Sequence, residues 1–323
     1  MPTFGLLPQI IVVGIGAGLA AALLFVAVFT GTFFAYPLFA LSALPIGLAT
    51  FGWGPLSGGL ATAVSTGTLA LADQPTLAIG FAILVGGPAL WVAMVAGQPA
   101  RVTQSGTHRT AVFRPLAEVL IHTAGIVALA VITVGVFIRF DPTVAARAFL
   151  DAFVQSAPAV ADMSRAELRA QLAPVVRVMF NWLPVTAAPS VMTMLVINSW
   201  LAARITALSG RLERPWTPMA DLRLPLAVTV VLLVGLAGGF LPGGIGLAFN
   251  VAASAAGFAL ALAGLATLHT VTMGRPNRAL ILGVAYALTV ILSVPIILWT
   301  LLGVVDSATD FRRRFAGGNN PQA

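Results

Sequence analysis

Cysteine and lysine are both absent, and acidic and basic residues together make up only 8% of the 323 positions. Without cysteine there is no disulfide, no thiolate nucleophile and no sulfur-ligated metal. A soluble globular domain carries roughly 25% charged residues, so this chain has too little polar surface to face water. Enzyme signatures are missing as well: no His-Glu-x-x-His zinc helix, no Gly-x-Ser-x-Gly elbow and no phosphate loop. No intramembrane aspartate pair of the aspartyl-protease kind occurs either, because Asp73 stands alone. No catalytic residue, metal or cofactor is therefore assigned, and the expected protein is not an enzyme.

What is present is hydrocarbon. Apolar residues account for 59% of the chain and the mean hydropathy is +0.99. A bilayer core of about 30 Å needs roughly 20 apolar residues in a helix, and every backbone group inside it must bond within its own segment. Runs of that kind cover Ile10 to Thr30, Phe33 to Phe51, Pro55 to Ala72, Thr76 to Ala96, Leu116 to Ile138, Val175 to Leu201, Leu224 to Leu241, Ile245 to Val271 and Ala279 to Val304. The expected fold is thus an all-α polytopic transmembrane bundle of about nine spans, with seven or eight as alternatives, forming one domain over 1–323. The second and third spans are short and joined by the uncharged Gly52-Trp53-Gly54 link, which leaves a re-entrant pair open for them. Residues 1–9 lack a basic region ahead of the first apolar run, so a retained first helix is expected rather than a cleaved signal.

The 17 basic residues, all arginine, give a net charge of +7, but they are scattered between apolar stretches, and no nucleic-acid partner is expected. Their placement instead orients the chain. Arg101, Arg109 and Arg114 occur without an acid between the fourth and fifth spans, and Arg204, Arg211, Arg214 and Arg223 face only Glu213 and Asp221 after the sixth. Both loops belong on the cytoplasmic side, as do Arg275 and Arg278. The segment from Arg139 to Arg169 balances its charges and belongs outside. The expected localisation is a bacterial inner membrane with the N-terminus inside, which sends the polar tail 305–323 and its Arg312, Arg313 and Arg314 outside against the charge rule.

The insertion 141–173 is the one sizeable polar stretch. Arg147, Asp151 and Gln155 recur every fourth residue opposite Val144, Phe149 and Phe153, which describes a short amphipathic helix on the membrane surface. After a break at Ala157-Pro158, Ser164-Arg-Ala-Glu167 fits a capping box that starts a second helix running toward the sixth span.

Gly14-Ile15-Gly16-Ala17-Gly18 lies within an apolar run with no preceding strand, so it reads as packing and not as a phosphate loop. Gly14, Gly18 and Ala22, like Gly54, Gly58, Ala61 and Ser65, form small-xxx-small stripes that let helices approach closely. Arg114, Glu118 and His122 share one face of the fifth span. Ionisable groups in membrane helices point to function, so Glu118 and His122 are candidate contacts for a polar solute, although an interfacial Arg114–Glu118 pair accounts for them equally. His269, near a helix end, reads as structural. In the sixth span, Pro184 and Pro189 are expected to interrupt the helix, as Pro295 does in the ninth. Broken membrane helices often line cavities, which makes Asn181 and Asn198 candidate hydrogen-bonding residues.

From the sixth span onward the chain resembles the YybS-like family of bacterial multi-spanning proteins, described only as a domain of unknown function. The matching features are Leu183-Pro184, Asn198-Ser-Trp-Leu-Ala-Ala-Arg204, Leu222-Arg-Leu-Pro225, Gly264-Leu-Ala beside His269 and Gly274-Arg-Pro-Asn-Arg278. The ending Leu302-Gly-Val-Val-Asp306-Ser-Ala-Thr-Asp310-Phe-Arg-Arg-Arg314 is the most specific. The resemblance implies a likeness to the S-components of energy-coupling-factor importers, which capture a small solute inside the membrane. It carries over no residue set for a particular vitamin, and the extra spans and the 141–173 insertion depart from those proteins. The expectation is a transport-related solute binder whose partners are the bilayer and a small solute. The rival is a scaffold that holds other membrane or cytoplasmic proteins through its arginine loops and through Asp306, Asp310 and Arg312 to Arg314.

Overall fold

The computed structural model describes residues 7–105, 108–157, 164–292 and 294–309, and about 81% of these described residues are helical. Six helical segments are long and apolar enough to cross a membrane: Leu7–Thr30, Ala35–Trp53, Pro75–Gly97, Leu116–Phe137, Arg165–Leu208 and Gly243–Val271. An all-α membrane-type bundle therefore stands.

The first half is built on close contact between small residues. Helix α1 (Leu7–Val26) continues as a 3₁₀ turn to Thr30, and α2 (Ala35–Ala40) and α3 (Leu44–Trp53) return to the starting end. Gly54 turns the chain into α4 (Pro55–Leu71) at φ +87°, a conformation that favours glycine. Gly14 rests on Ser57 and Leu60, and Gly18 on Ala61 and Val64, so α1 and α4 run parallel in contact. The Ser57 hydroxyl donates across this seam to the Ile10 carbonyl at 3.1 Å. Gly58 lies against Thr50, closing α3 onto α4. Of the stripes read from the sequence, Gly14, Gly18, Gly58 and Ala61 lie in contact surfaces, whereas Gly54 meets no neighbour and serves as the turn. Next, α5 (Pro75–Phe81), a π-helical turn over Ala82–Gly86 and α6 (Gly87–Gly97) form one traverse around the fully buried Phe81.

The loop holding Arg101 and Arg109 contains a β-hairpin, β1 (Pro99–Ser105) antiparallel to β2 (His108–Phe113), which the sequence reading did not anticipate. It leads into α7 (Leu116–Phe137). Asp141 caps α8 (Pro142–Ser156) by accepting from the Thr143 and Val144 amides at 2.8 and 2.9 Å. The Ser164–Glu167 capping box is present and starts α9 (Arg165–Leu208). Helix α8 folds back on α9 through Ala146, Leu150 and Val154 against Val176, and Asp151 pairs with Arg169 at 2.6 Å. The face holding Val144, Phe149 and Phe153 stays exposed.

The interrupted sixth span is corrected. Helix α9 runs 44 residues without a break although Pro174, Pro184 and Pro189 lie inside it. At 1.5 Å per residue it is about 66 Å long, roughly twice a hydrocarbon core, so its polar first turns extend beyond the apolar part. Each proline removes one amide donor. The hydroxyls of Thr186, Ser190 and Thr193 add bonds to the carbonyls of Trp182, Thr186 and Pro189 at 3.1, 2.8 and 2.8 Å. The following turns are fixed by complete burial of Ala188, Met192, Leu195 and Ala202. Local bending is absorbed and continuity survives.

Helices α10 (Leu226–Gly238) and α11 (Gly243–Val271) form an antiparallel hairpin in which Gly235 meets Ala253 and Gly238 meets Phe249. Helix α11 is the spine of the second half. The expected ninth span is two helices, α12 (Arg278–Leu292) and α13 (Pro295–Thr309), with Pro295 opening the second. Trp299 Nε1 donates to Thr289 Oγ1 at 2.8 Å. In one straight helix ten residues would separate these groups by about 15 Å, so the chain turns sharply between them. Helix α13 is antiparallel to α11, with Gly264 against the Trp299 backbone and Gly303 against Leu260.

Candidate functional site

A cavity of about 500 Å³ opens where the last turns of α7, the middle of α9 and the first turns of α11 fail to meet. Val131, Val134 and Gly135 come from α7, Pro184, Ala187 and Val191 from α9, and Leu247 and Val251 from α11. The lining is almost wholly hydrocarbon. Thr186 and Ser190 supply hydroxyls, and both are committed to carbonyls of their own helix. Arg139 sits at the rim, directly after α7, at φ +50°. Such a site selects for apolar bulk, because a polar solute entering it would lose water without gaining partners.

A second, polar cavity of about 320 Å³ lies between α8 and α9, lined by Thr143, Arg147, Arg177 and Asn181 among others. Arg177, Asn181 and Pro184 follow at helical spacing on one face of α9. The polar cavity thus ends about one turn from where the apolar one begins.

The candidates read from the sequence scatter over the molecule. Asn181 lines the polar cavity and Pro184 the apolar one, whereas Pro189 lines neither. Asn198 is 2% exposed, and its amide donates to the Ala40 and Met194 carbonyls, both at 2.7 Å. It ties the end of α2 to α9 and does not face a cavity. Glu118 and His122 sit on the first turns of α7, at least nine residues before the first α7 residue of the cavity, or roughly 14 Å along the helix. Arg114 Nε meets Glu118 at 3.1 Å and His122 Nε2 lies 3.9 Å from it, all partly exposed, which is the interfacial pairing. His269 shares a 2.9 Å hydrogen bond with the Tyr286 hydroxyl. Asp306 is a buried residue of α13 and not part of a free tail; Asp310, Arg312, Arg313 and Arg314 lie outside the described residues. Among the described residues no cluster of His, Asp and Glu has metal-binding geometry.

At the opposite end of the bundle Arg214, from the loop after α9, turns inward while Arg204, Arg211 and Arg223 stay exposed. Arg214 donates to the Ala96 and Arg114 carbonyls, both at 2.9 Å, and burial pulls its pKa below the ordinary arginine value. Arg211 stacks on Trp53 at 4.5 Å and Arg204 on Trp216 at 5.3 Å. This loop straps the ends of α3, α6 and α9 together.

The chain matches no protein-family model, no curated protein and no solved structure. Any functional reading must therefore come from the cavities themselves. Sequence reasoning missed Arg139, Arg147 and Arg177 as site residues.

Proposed function

We propose that this protein is a transport-related solute binder of a bacterial inner membrane, S-component-like and without catalysis of its own, that holds an apolar or amphipathic molecule between α7, α9 and α11. The YybS-like resemblance belongs to the same proposal. In this reading the chain crosses the bilayer nine times, the six long helices being joined by α4, α10 and α13. The hairpin, the arginine strap and α12 lie on the cytoplasmic side, and α8 with the start of α9 lies outside. The observation that carries the reading is the 500 Å³ apolar cavity, which buries no unbonded polar side chain and is shaped by a proline-bearing helix. The engagement of Arg214 with the Ala96 and Arg114 carbonyls weighs against a scaffold that would use this arginine to hold a partner.

The test is thermal unfolding of the purified protein in nanodiscs with a long-chain alcohol. Binding to the native state at about one hundred times Kd adds roughly 2.7 kcal/mol. The native protein is expected to gain several degrees, and Ala187→Trp, which fills the cavity, is expected to gain none. Equal response of the two, or none in either, contradicts the reading.

A further inference from the structure

The arginines beside the apolar cavity have no evident structural use. Arg147 and Arg177 both line the polar cavity and both are exposed. Neither they nor Arg139 takes part in an ion pair among the described residues. The nearby acids are occupied elsewhere: one Asp141 oxygen accepts the two α8 amides, and Asp151 holds Arg169. Two guanidinium groups therefore line the polar cavity and a third lines the apolar one, with no carboxylate engaged to them among the described residues. They also lie on the side of the membrane that the proposed topology places outside, where arginine is disfavoured by the charge rule.

We infer that the ligand is an anionic amphiphile, with a phosphate or carboxylate head in the polar cavity against Arg147 and Arg177 and an alkyl chain in the cavity between α7, α9 and α11. This inference rests on the binding function proposed above and narrows its ligand class. Guanidinium groups present forked donors that match the oxygens of such a head, and the Asn181 amide and Thr143 hydroxyl add neutral bonding groups beside them. The two compartments are collinear on α9. From Arg177 to Val191 the helix rises roughly 20 Å, which suits a charged head at one end and an extended chain along the rest. Arg139 lines the apolar compartment itself.

The test compares dodecyl phosphate, dodecanol and inorganic phosphate on the full chain in nanodiscs of zwitterionic lipid, by calorimetry or native mass spectrometry. For the native protein the alkyl phosphate is expected to bind at least tenfold tighter than the alcohol, and inorganic phosphate far more weakly than either. The double variant Arg147→Gln/Arg177→Gln is expected to bind both alkyl ligands equally, at the alcohol's affinity. Arg147→Lys/Arg177→Lys restores part of the preference. Ala187→Trp loses both ligands. Because both arginines are exposed, folding of the double variant is checked by its alcohol affinity, which must stay at the native value. A head-group preference that survives in the glutamine variant overturns the inference and leaves the cavity reading intact, as does equal binding of alcohol and phosphate by the native protein. Failure of the native protein to bind any alkyl ligand overturns both.

Discussion

The seam between α1 and α4 and the seam between α7, α9 and α11 are made of the same apolar residue types and end in opposite states. In the first, Gly14 and Gly18 meet Ser57, Leu60, Ala61 and Val64 so closely that an added methyl group would collide with backbone. In the second, Gly135 and Gly244 line the cavity, and a methyl group on either would touch nothing within 4 Å. In the first seam both glycines are met by the facing helix, Gly14 by Leu60 and Gly18 by Val64; in the second no neighbouring helix reaches Gly135 or Gly244. Without a hydrophobic drive between helices in lipid, contact itself is the stabilising term, so an open seam is a cost the fold tolerates where a ligand can repay it.

The contrast can be broken from either side. The largest effect is expected from Gly18→Leu, which forces the α1–α4 backbones apart and costs about 3 kcal/mol through overpacking; size exclusion and thermal melting in detergent should show loss of the monodisperse protein. Next is Asn198→Ala, which strips a donor from the Ala40 and Met194 carbonyls and costs about 2 kcal/mol. Its melting point should fall while alkyl-ligand affinity stays unchanged, since Asn198 lies outside both cavities. Ser164→Ala removes the capping box at the start of α9 and costs about 1 kcal/mol, read as faster hydrogen exchange over residues 165–170 with the apolar core unaffected. The smallest effect carries the opposite sign: Gly135→Ala adds a methyl group to empty space and a better helix former, raising stability by up to about 1 kcal/mol. A loss of stability in that variant would mean that the second seam is as closed as the first.

These regions also differ in how much of them could be read beforehand. The α1–α4 stripe lies within short stretches of sequence at a fixed spacing, so Gly14, Gly18 and Ala61 announced it. The capping box at Ser164 and the helix start at Pro295 are equally local and were legible. The β1–β2 hairpin carries a single valine in each strand, Val102 and Val112, so no apolar alternation marks it in the sequence. Continuity of α9 depends on what Ala188, Met192 and Ala202 pack against, and no local rule for proline contains that information. The cavity draws on three segments separated by dozens of residues, so neither its existence nor the arginines at its mouth could be seen in the sequence. Asn181 and Asn198 make the point together: identical side chains on one helix, one lining a polar cavity and the other sealed against a carbonyl of α2.

Photo-crosslinking with a diazirine-bearing alkyl phosphate, followed by peptide mapping, tests the cavity claim most directly. Labels concentrated in residues 131–136, 183–191 and 244–251, removed by unlabelled ligand and absent in Ala187→Trp, are the predicted result. Labels spread over the outward-facing residues of α1, α10 and α12, indifferent to competitor and to that substitution, would contradict it.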